Sequence, residues 1–131
     1  MPPALDHLGV AVRDLDAACR VYALLGIEAE GREEVPHEGV RVAMLPLASG
    51  RIELLEPTSP DSTVGRFLAK RGEGLHHVAL AVPDLPAAIA RLKSSGAKLV
   101  NETVQTGAGG HQYVFVHPSS SGGVLLELIQ A

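Results

Sequence analysis

Asp6-His7-Leu8-Gly9-Val10-Ala11-Val12-Arg13-Asp14-Leu15 decides how this chain folds, because the stretch recurs. Seventy positions on, the sequence reads His76-His77-Val78-Ala79-Leu80-Ala81-Val82-Pro83-Asp84-Leu85. At that offset His7 meets His77, Ala11-Val12 meets Ala81-Val82, and Asp14-Leu15 meets Asp84-Leu85. The match runs on through Ala17-Ala18 against Ala87-Ala88 to Gly26 against Gly96 without a gap. An ungapped correspondence of that length marks an internal repeat. One histidine therefore stands at the same place in two copies of one unit, and a pseudo-twofold axis would carry both imidazoles to a shared site.

Outward from the repeat, the residue pattern predicts the same elements in both copies. Leu5 to Val12 reads as a strand, with β-branched Val10 and Val12. Asp14 is a helix N-cap, and Leu15, Ala18, Val21, Tyr22 and Leu25 fall at helical spacing before Gly26 stops the helix. Strands are expected over Ile27–Glu34, Val40–Leu47 and Arg51–Glu56, separated by the turns Pro36–Gly39 and Ser49-Gly50. In the second copy Leu75–Val82 is a strand. Asp84 caps a helix from Leu85 to about Ser95, with Leu85, Ala88, Ile89 and Leu92 on one face, and Gly96 ends it. Strands follow over Ala97–Val104, Gln112–Val116 and Val124–Gln130, with a flexible loop at Gly107–Gly110 and a turn at Ser119–Gly123. Between the copies, Pro57–Asp61 is a linker and Ser62–Arg71 a short helix with Val64, Phe67 and Leu68 apolar. The expected fold class is α+β: two tandem βαβββ modules, about 1–57 and 74–131, in one domain, joined by a linker helix at about 58–73.

Composition narrows the function. Apolar residues make up 46% of the 131, enough for a packed core and too many for disorder. The net charge is -4, no basic patch stands out, and aromatics are 3% with no Trp. Neither the electrostatic footprint nor the stacking surface of a nucleic-acid binder is present. No apolar run is long enough to span a bilayer. A single cysteine, Cys19, rules out an intrachain disulfide. Together with Met1-Pro2-Pro3-Ala4, which has no apolar leader, it makes a cytoplasmic location the expectation.

Two carboxylates stand out by their surroundings. Glu127 lies in Val124-Leu125-Leu126-Glu127-Leu128-Ile129, and Glu53 in Arg51-Ile52-Glu53-Leu54-Leu55. An unpaired buried carboxylate costs several kcal/mol or becomes protonated, so each calls for a partner. Each belongs to the last strand of its module, as His7 and His77 belong to the first. Two imidazoles and two carboxylates suit a divalent transition ion such as Co, Ni, Mn, Fe or Zn. His76 is expected on the face opposite His77, since strand side chains alternate. His37, His111 and His117 lie in or beside loops and read as exposed polar residues. Gly107–Gly110 offers a lid or an anion cradle, and Cys19 reads as a small helix residue.

With these segments in view, the chain resembles the vicinal oxygen chelate superfamily and, within it, the methylmalonyl-CoA epimerases. The stretches that carry the resemblance are Asp6–Val12, Gly39-Val40, Ile52–Pro57, Phe67–Lys70, Gly74–Ala79 and His117-Pro118 through Leu128. In this family paired modules form a sheet-lined cleft around one divalent ion, often cobalt. The resemblance implies metal ligands at His7, His77 and Glu127, with Glu53 at a fourth position often held by Gln. Some epimerases carry an acidic base on the third strand; the matching position here is Val42, which cannot move a proton. If two bases are needed, Glu53 and Glu127 are the candidates.

The implied chemistry is proton transfer at the carbon between a thioester and a carboxylate, on a small acyl-CoA substrate, by a homodimeric isomerase. A metal near the thioester oxygen would stabilise charge developing there, while one carboxylate removes the proton and a second group returns one to the other face. Two other functions suit the same residues or fold. One is glyoxalase-type isomerisation of a glutathione hemithioacetal, and the other is a non-catalytic module that holds a small ligand.

Overall fold

The computed structural model describes residues 2–131. Its elements are β1 (Ala4–Ala11), α1 (Leu15–Ala23), β2 (Gly31–Val35), β3 (Val40–Pro46), β4 (Arg51–Pro57), α2 (Thr63–Arg71), β5 (Gly74–Val82), α3 (Leu85–Ser94), β6 (Gln105–Thr106), β7 (Gln112–Val116) and β8 (Leu126–Gln130). Strand, helix and three strands follow one another twice, so the α+β class and both βαβββ modules stand. Two compact units result: His7–His76, and His77–Ala131 with the first residues up to Asp6. Among the described residues no helix is long and apolar enough to cross a membrane.

In the unit His7–His76, β1 from His7 onward pairs parallel with β4, β4 antiparallel with β3, and β3 antiparallel with β2. Helix α1 packs on one face of this sheet. Leu15 is buried with Val12, Ala43, Leu45 and Leu54, and Ala18, Cys19, Tyr22 and Ile27 pack against them. The expected stripe is corrected here: Val21 is 60% exposed and Leu25 72%. At about 100° per residue, Val21 sits roughly 120° around the helix from Leu15, and Leu25 lies beyond the last turn. Cys19, one turn after Leu15, takes the inward place. The linker helix α2 belongs to this same unit and buries Val64 and Leu68.

In the other unit, β5 from His77 onward pairs parallel with β8, β8 antiparallel with β7, and β7 antiparallel with β6. The expected α3 face is the observed one. Leu85 is buried with Val82, Val114, Val116 and Leu128, with Ala88, Ile89 and Leu92 packed against them. Tyr113 and Ile129 lie on the opposite sheet face with Ala79, and Phe115 packs there.

The repeat extends to details of capping. Asp14 accepts from the Ala17 N–H at 3.1 Å, and Asp84 from the Ala87 N–H at 3.0 Å. Gly26 and Gly96 take φ of 80° and 84°, so that Ile27 N–H reaches the Tyr22 carbonyl and Ala97 N–H the Leu92 carbonyl. This left-handed exit closes the last helical turn and suits glycine. A side chain three residues after each strand carboxylate holds the start of the helix: Glu56 accepts from Leu15 N–H at 2.9 Å, and Gln130 from Leu85 N–H at 2.8 Å.

Three strand expectations shift. Residues Ile27–Glu30 are not in β2, because Ile27 is tied back to α1. The strand expected over Ala97–Val104 is absent, and only an isolated Leu99 bridge to Val116 remains. There the Asn101 side chain accepts from Phe115 N–H at 2.8 Å, replacing a backbone partner and ending the ladder. The paired segment moves to Gln105–Thr106. In the last strand, Val124 and Leu125 fall outside β8, because Gly122 and Gly123, at φ 71° and 88°, carry the turn up to Val124. Gly107–Gly110, expected as a flexible loop, forms a tight turn with Gly109 and Gly110 at φ 72° and 78°, closed by Gly107 N–H on the His111 carbonyl at 2.9 Å.

Candidate functional site

The buried polar residues identify themselves. Apart from the Tyr113 phenol, four polar or charged side chains are buried among the described residues: His7 (3% exposed), Glu53 (5%), His77 (6%) and Glu127 (7%). These are the four residues singled out by the sequence, two from each module.

Strand register explains how each module pairs its two. In the β1–β4 ladder Gly9 stands opposite Glu53, and in the β5–β8 ladder Ala79 stands opposite Glu127. The histidine lies two residues before that partner in both cases, on the same face as the carboxylate because strand side chains alternate. In the first module His7 Nδ1 lies 3.3 Å from Glu53 Oε2. In the second His77 Nε2 lies 3.0 Å from Glu127 Oε1. Phe115, opposite Glu127 in the β7–β8 ladder, sets its ring edge-on to His77 with centroids 5.5 Å apart. Strand β8 is flanked by β5 and β7, so Glu127 is not a solvent-facing carboxylate at a sheet edge.

One member of the first group escapes a reading that looks for imidazoles and carboxylates. Arg51 donates to Glu53 Oε2 from Nε at 3.1 Å and from Nη2 at 2.7 Å. The signal was present: Arg51 and Glu53 are two apart in one strand and so share a face. Val42 is 2% exposed and stands opposite Leu55, which puts it on the Glu53 face of the sheet as an apolar residue.

The remaining histidines lie elsewhere. His76 is half-buried and meets Phe67 edge-on, with centroids 5.0 Å apart. The burial alternation along β5 sets it on the face opposite His77, as expected. His37 and His111 are exposed. His117 is half-buried, and its Nδ1 lies 2.8 Å from Ser119 Oγ at the start of a 3₁₀ turn.

A buried imidazole beside a buried carboxylate can share a proton, orient one partner through the other, or ligate a cation. The pair occurs in each module at matched register, and each gives one nitrogen and one oxygen donor of the kind that divalent transition ions take. Comparison with known proteins bears on the choice. Residues 6–115 match the family profile described as Glyoxalase/Bleomycin resistance protein/Dioxygenase superfamily. The mitochondrial methylmalonyl-CoA epimerase of Homo sapiens is 37% identical over 129 residues, spanning 97% of this chain and 73% of that protein. An ethylmalonyl-CoA/methylmalonyl-CoA epimerase of Cereibacter sphaeroides is 38% identical over 129 residues, spanning 96% of each. Among solved structures, a variant of Streptomyces coelicolor methylmalonyl-CoA epimerase in complex with 2-nitronate-propionyl-CoA superposes with a TM-score of 0.93 at 38% identity, covering 98% of this chain and 94% of that one.

Proposed function

The chain belongs to the Glyoxalase/Bleomycin resistance protein/Dioxygenase superfamily, and on that premise we propose that it is an isomerase that interconverts the two epimers of methylmalonyl-CoA. The observation that carries the reading is the placing of the buried histidines and glutamates, among the described residues, in two register-matched His–Glu pairs. Relatives that span nearly all of this chain bear the name of that activity.

His7, His77 and Glu127 are our assigned ligands of one divalent ion, with Glu53 beside it as ligand or base. The donor chemistry fits: imidazole nitrogens and carboxylate oxygens, withdrawn from water and held by strands rather than loops. When bound, the ion supplies Lewis-acid stabilisation of negative charge developing at the thioester oxygen. Glu127 and Glu53 do the proton work. One, as the carboxylate, takes the α-proton as the C–H bond breaks, and the other, entering as the carboxylic acid, delivers its proton to the opposite face of the same carbon and leaves as the carboxylate. One proton leaves and one arrives, so no co-reactant is consumed. Val42 has no proton to move, which leaves the second role to Glu53.

The finer readings follow. Cobalt is the ion to try first, with nickel, manganese, zinc and iron as competitors. We take residues 1–131 as one domain of two modules joined at about 58–73. A homodimer is supported by apolar Val21, Leu24 and Leu25, which are 60%, 87% and 72% exposed; seventy positions on stand Arg91, Ser94 and Ser95. A cytoplasmic setting is supported by the free thiol of Cys19.

Exchange in deuterium oxide tests the function. The metal-loaded protein should wash deuterium into the α-carbon of methylmalonyl-CoA, and chelation should stop it. Turnover of a methylglyoxal–glutathione adduct without such exchange would assign a glyoxalase-type reaction instead. Absence of both activities in metal-loaded protein would leave a binding module.

A further inference from the structure

We propose that Arg51 is a positioning residue that turns Glu53 into a one-oxygen group, with Oε2 locked in place and Oε1 presented for function. The proposal rests on the epimerase reading in that Glu53 is taken as part of its machinery. The geometry lies within the unit His7–His76. Arg51 stands opposite His7 in the β1–β4 ladder and Glu53 stands opposite Gly9, so all three side chains share one sheet face. The two guanidinium contacts to Glu53, at 3.1 and 2.7 Å, both fall on Oε2. The His7 Nδ1 contact at 3.3 Å falls on the same oxygen. Among the described residues Oε1 has no such contact. A carboxylate held through one oxygen keeps its other lone pairs in a fixed direction, as a ligand or base must.

The repeat shows that this is a departure from module symmetry. Val78 N–H donates to the Leu125 carbonyl at 3.1 Å and Val78 pairs with Leu126, so Leu125 occupies in the β5–β8 ladder the place of Arg51. The first module sets a cation beside its carboxylate where the second sets an aliphatic side chain. The two glutamates are therefore not interchangeable. Glu53 carries its own counter-charge at 2.7 Å and is directionally clamped, whereas Glu127 meets His77 through Oε1 at 3.0 Å. Removing the guanidinium would leave a carboxylate that is 5% exposed without that compensation.

A double-mutant cycle on the metal-loaded protein tests this, using wild type, Arg51→Leu, Glu53→Gln and the double variant, with Arg51→Lys as conservative control. Two readouts are taken: kcat and KM for deuterium exchange into methylmalonyl-CoA, and cobalt affinity from optical titration of metal-free protein. Arg51→Leu should lower kcat, or cobalt affinity, by about 10–100-fold, the usual cost of losing an orienting partner, with KM within about threefold. Arg51→Lys should recover part of the loss. In the Glu53→Gln background, where exchange is expected to collapse, the same Arg51→Leu change is read in cobalt affinity and should cost less than about threefold, because the carboxylate it orients is gone. Equal losses in both backgrounds, or no loss from Arg51→Leu, would overturn the proposal. If Arg51→Leu fails to fold, a folded double variant supports it and an unfolded one overturns it. If wild type shows no exchange at all, the epimerase reading fails separately, and the cycle is read in cobalt affinity alone by the same criteria.

Discussion

At the scale of single residues, burial separates neighbours that composition cannot. His76 and His77 are adjacent, yet one is half-buried against Phe67 and the other is 6% exposed against Glu127. His77→Ala should therefore abolish cobalt binding, measured by titration with metal analysis, while His76→Ala keeps it; the reverse result would assign the function to the wrong face of β5. Glu127→Gln should remove measurable exchange, because the variant loses a base and an anionic donor together. Glu53→Gln is more discriminating. With Val42 unable to act, exchange should collapse while the metal stays bound. Survival of most activity would make Glu53 a ligand only, since an amide oxygen can replace its carboxylate there.

At the scale of elements, the repeated caps set the helices in place. Asp14 and Asp84 each accept from the third residue on, and Glu56 and Gln130 each hold the first helical N–H. Asp14→Ala and Asp84→Ala should each cost about 1 kcal/mol in urea denaturation, the usual worth of an N-cap. Gly26→Ala and Gly96→Ala should each cost about 1 kcal/mol or more, because both glycines sit at positive φ. Near-zero effects at both glycines would mean that the exits relax without penalty. Each of these turns joins a helix to the strands that follow it. Helix starts and stops were legible because capping is local chemistry. The missing 97–104 strand was not, since Asn101 interrupts it only by meeting Phe115, 14 positions away.

At the scale of the whole molecule, metal and assembly are the open variables. If the native fold alone holds the ion, cobalt at about 100 times its Kd should stabilise the protein by about 2.7 kcal/mol. That gain appears as a raised Tm that EDTA reverses; an unchanged Tm would mean that folded and unfolded chains bind alike. The apolar exposure at the end of α1 gives the assembly test. Leu24→Ser with Leu25→Ser, the residues of the second copy, should shift a dimer to monomer in sedimentation velocity. A dimer that persists would put the interface elsewhere.

The repeat was written in the chain, and with it the two βαβββ modules, the matched caps and the four buried imidazole and carboxylate residues. Periodicity and internal similarity are read along one dimension, and an apolar strand interrupted by one carboxylate signals a constraint before any contact is known. Register is not of that kind. It is decided when separate strands pair, and it is what sets His7 two residues before the partner of Glu53 and repeats the offset for His77 and Glu127. The same pairing sets Arg51 beside Glu53 and Leu125 in the matching place. Copies that read alike at their histidines therefore differ in the charge around their carboxylates. The exposure of Val21 is likewise a matter of which helix face meets a sheet, which spacing along α1 narrows but packing against Leu45 and Leu54 settles.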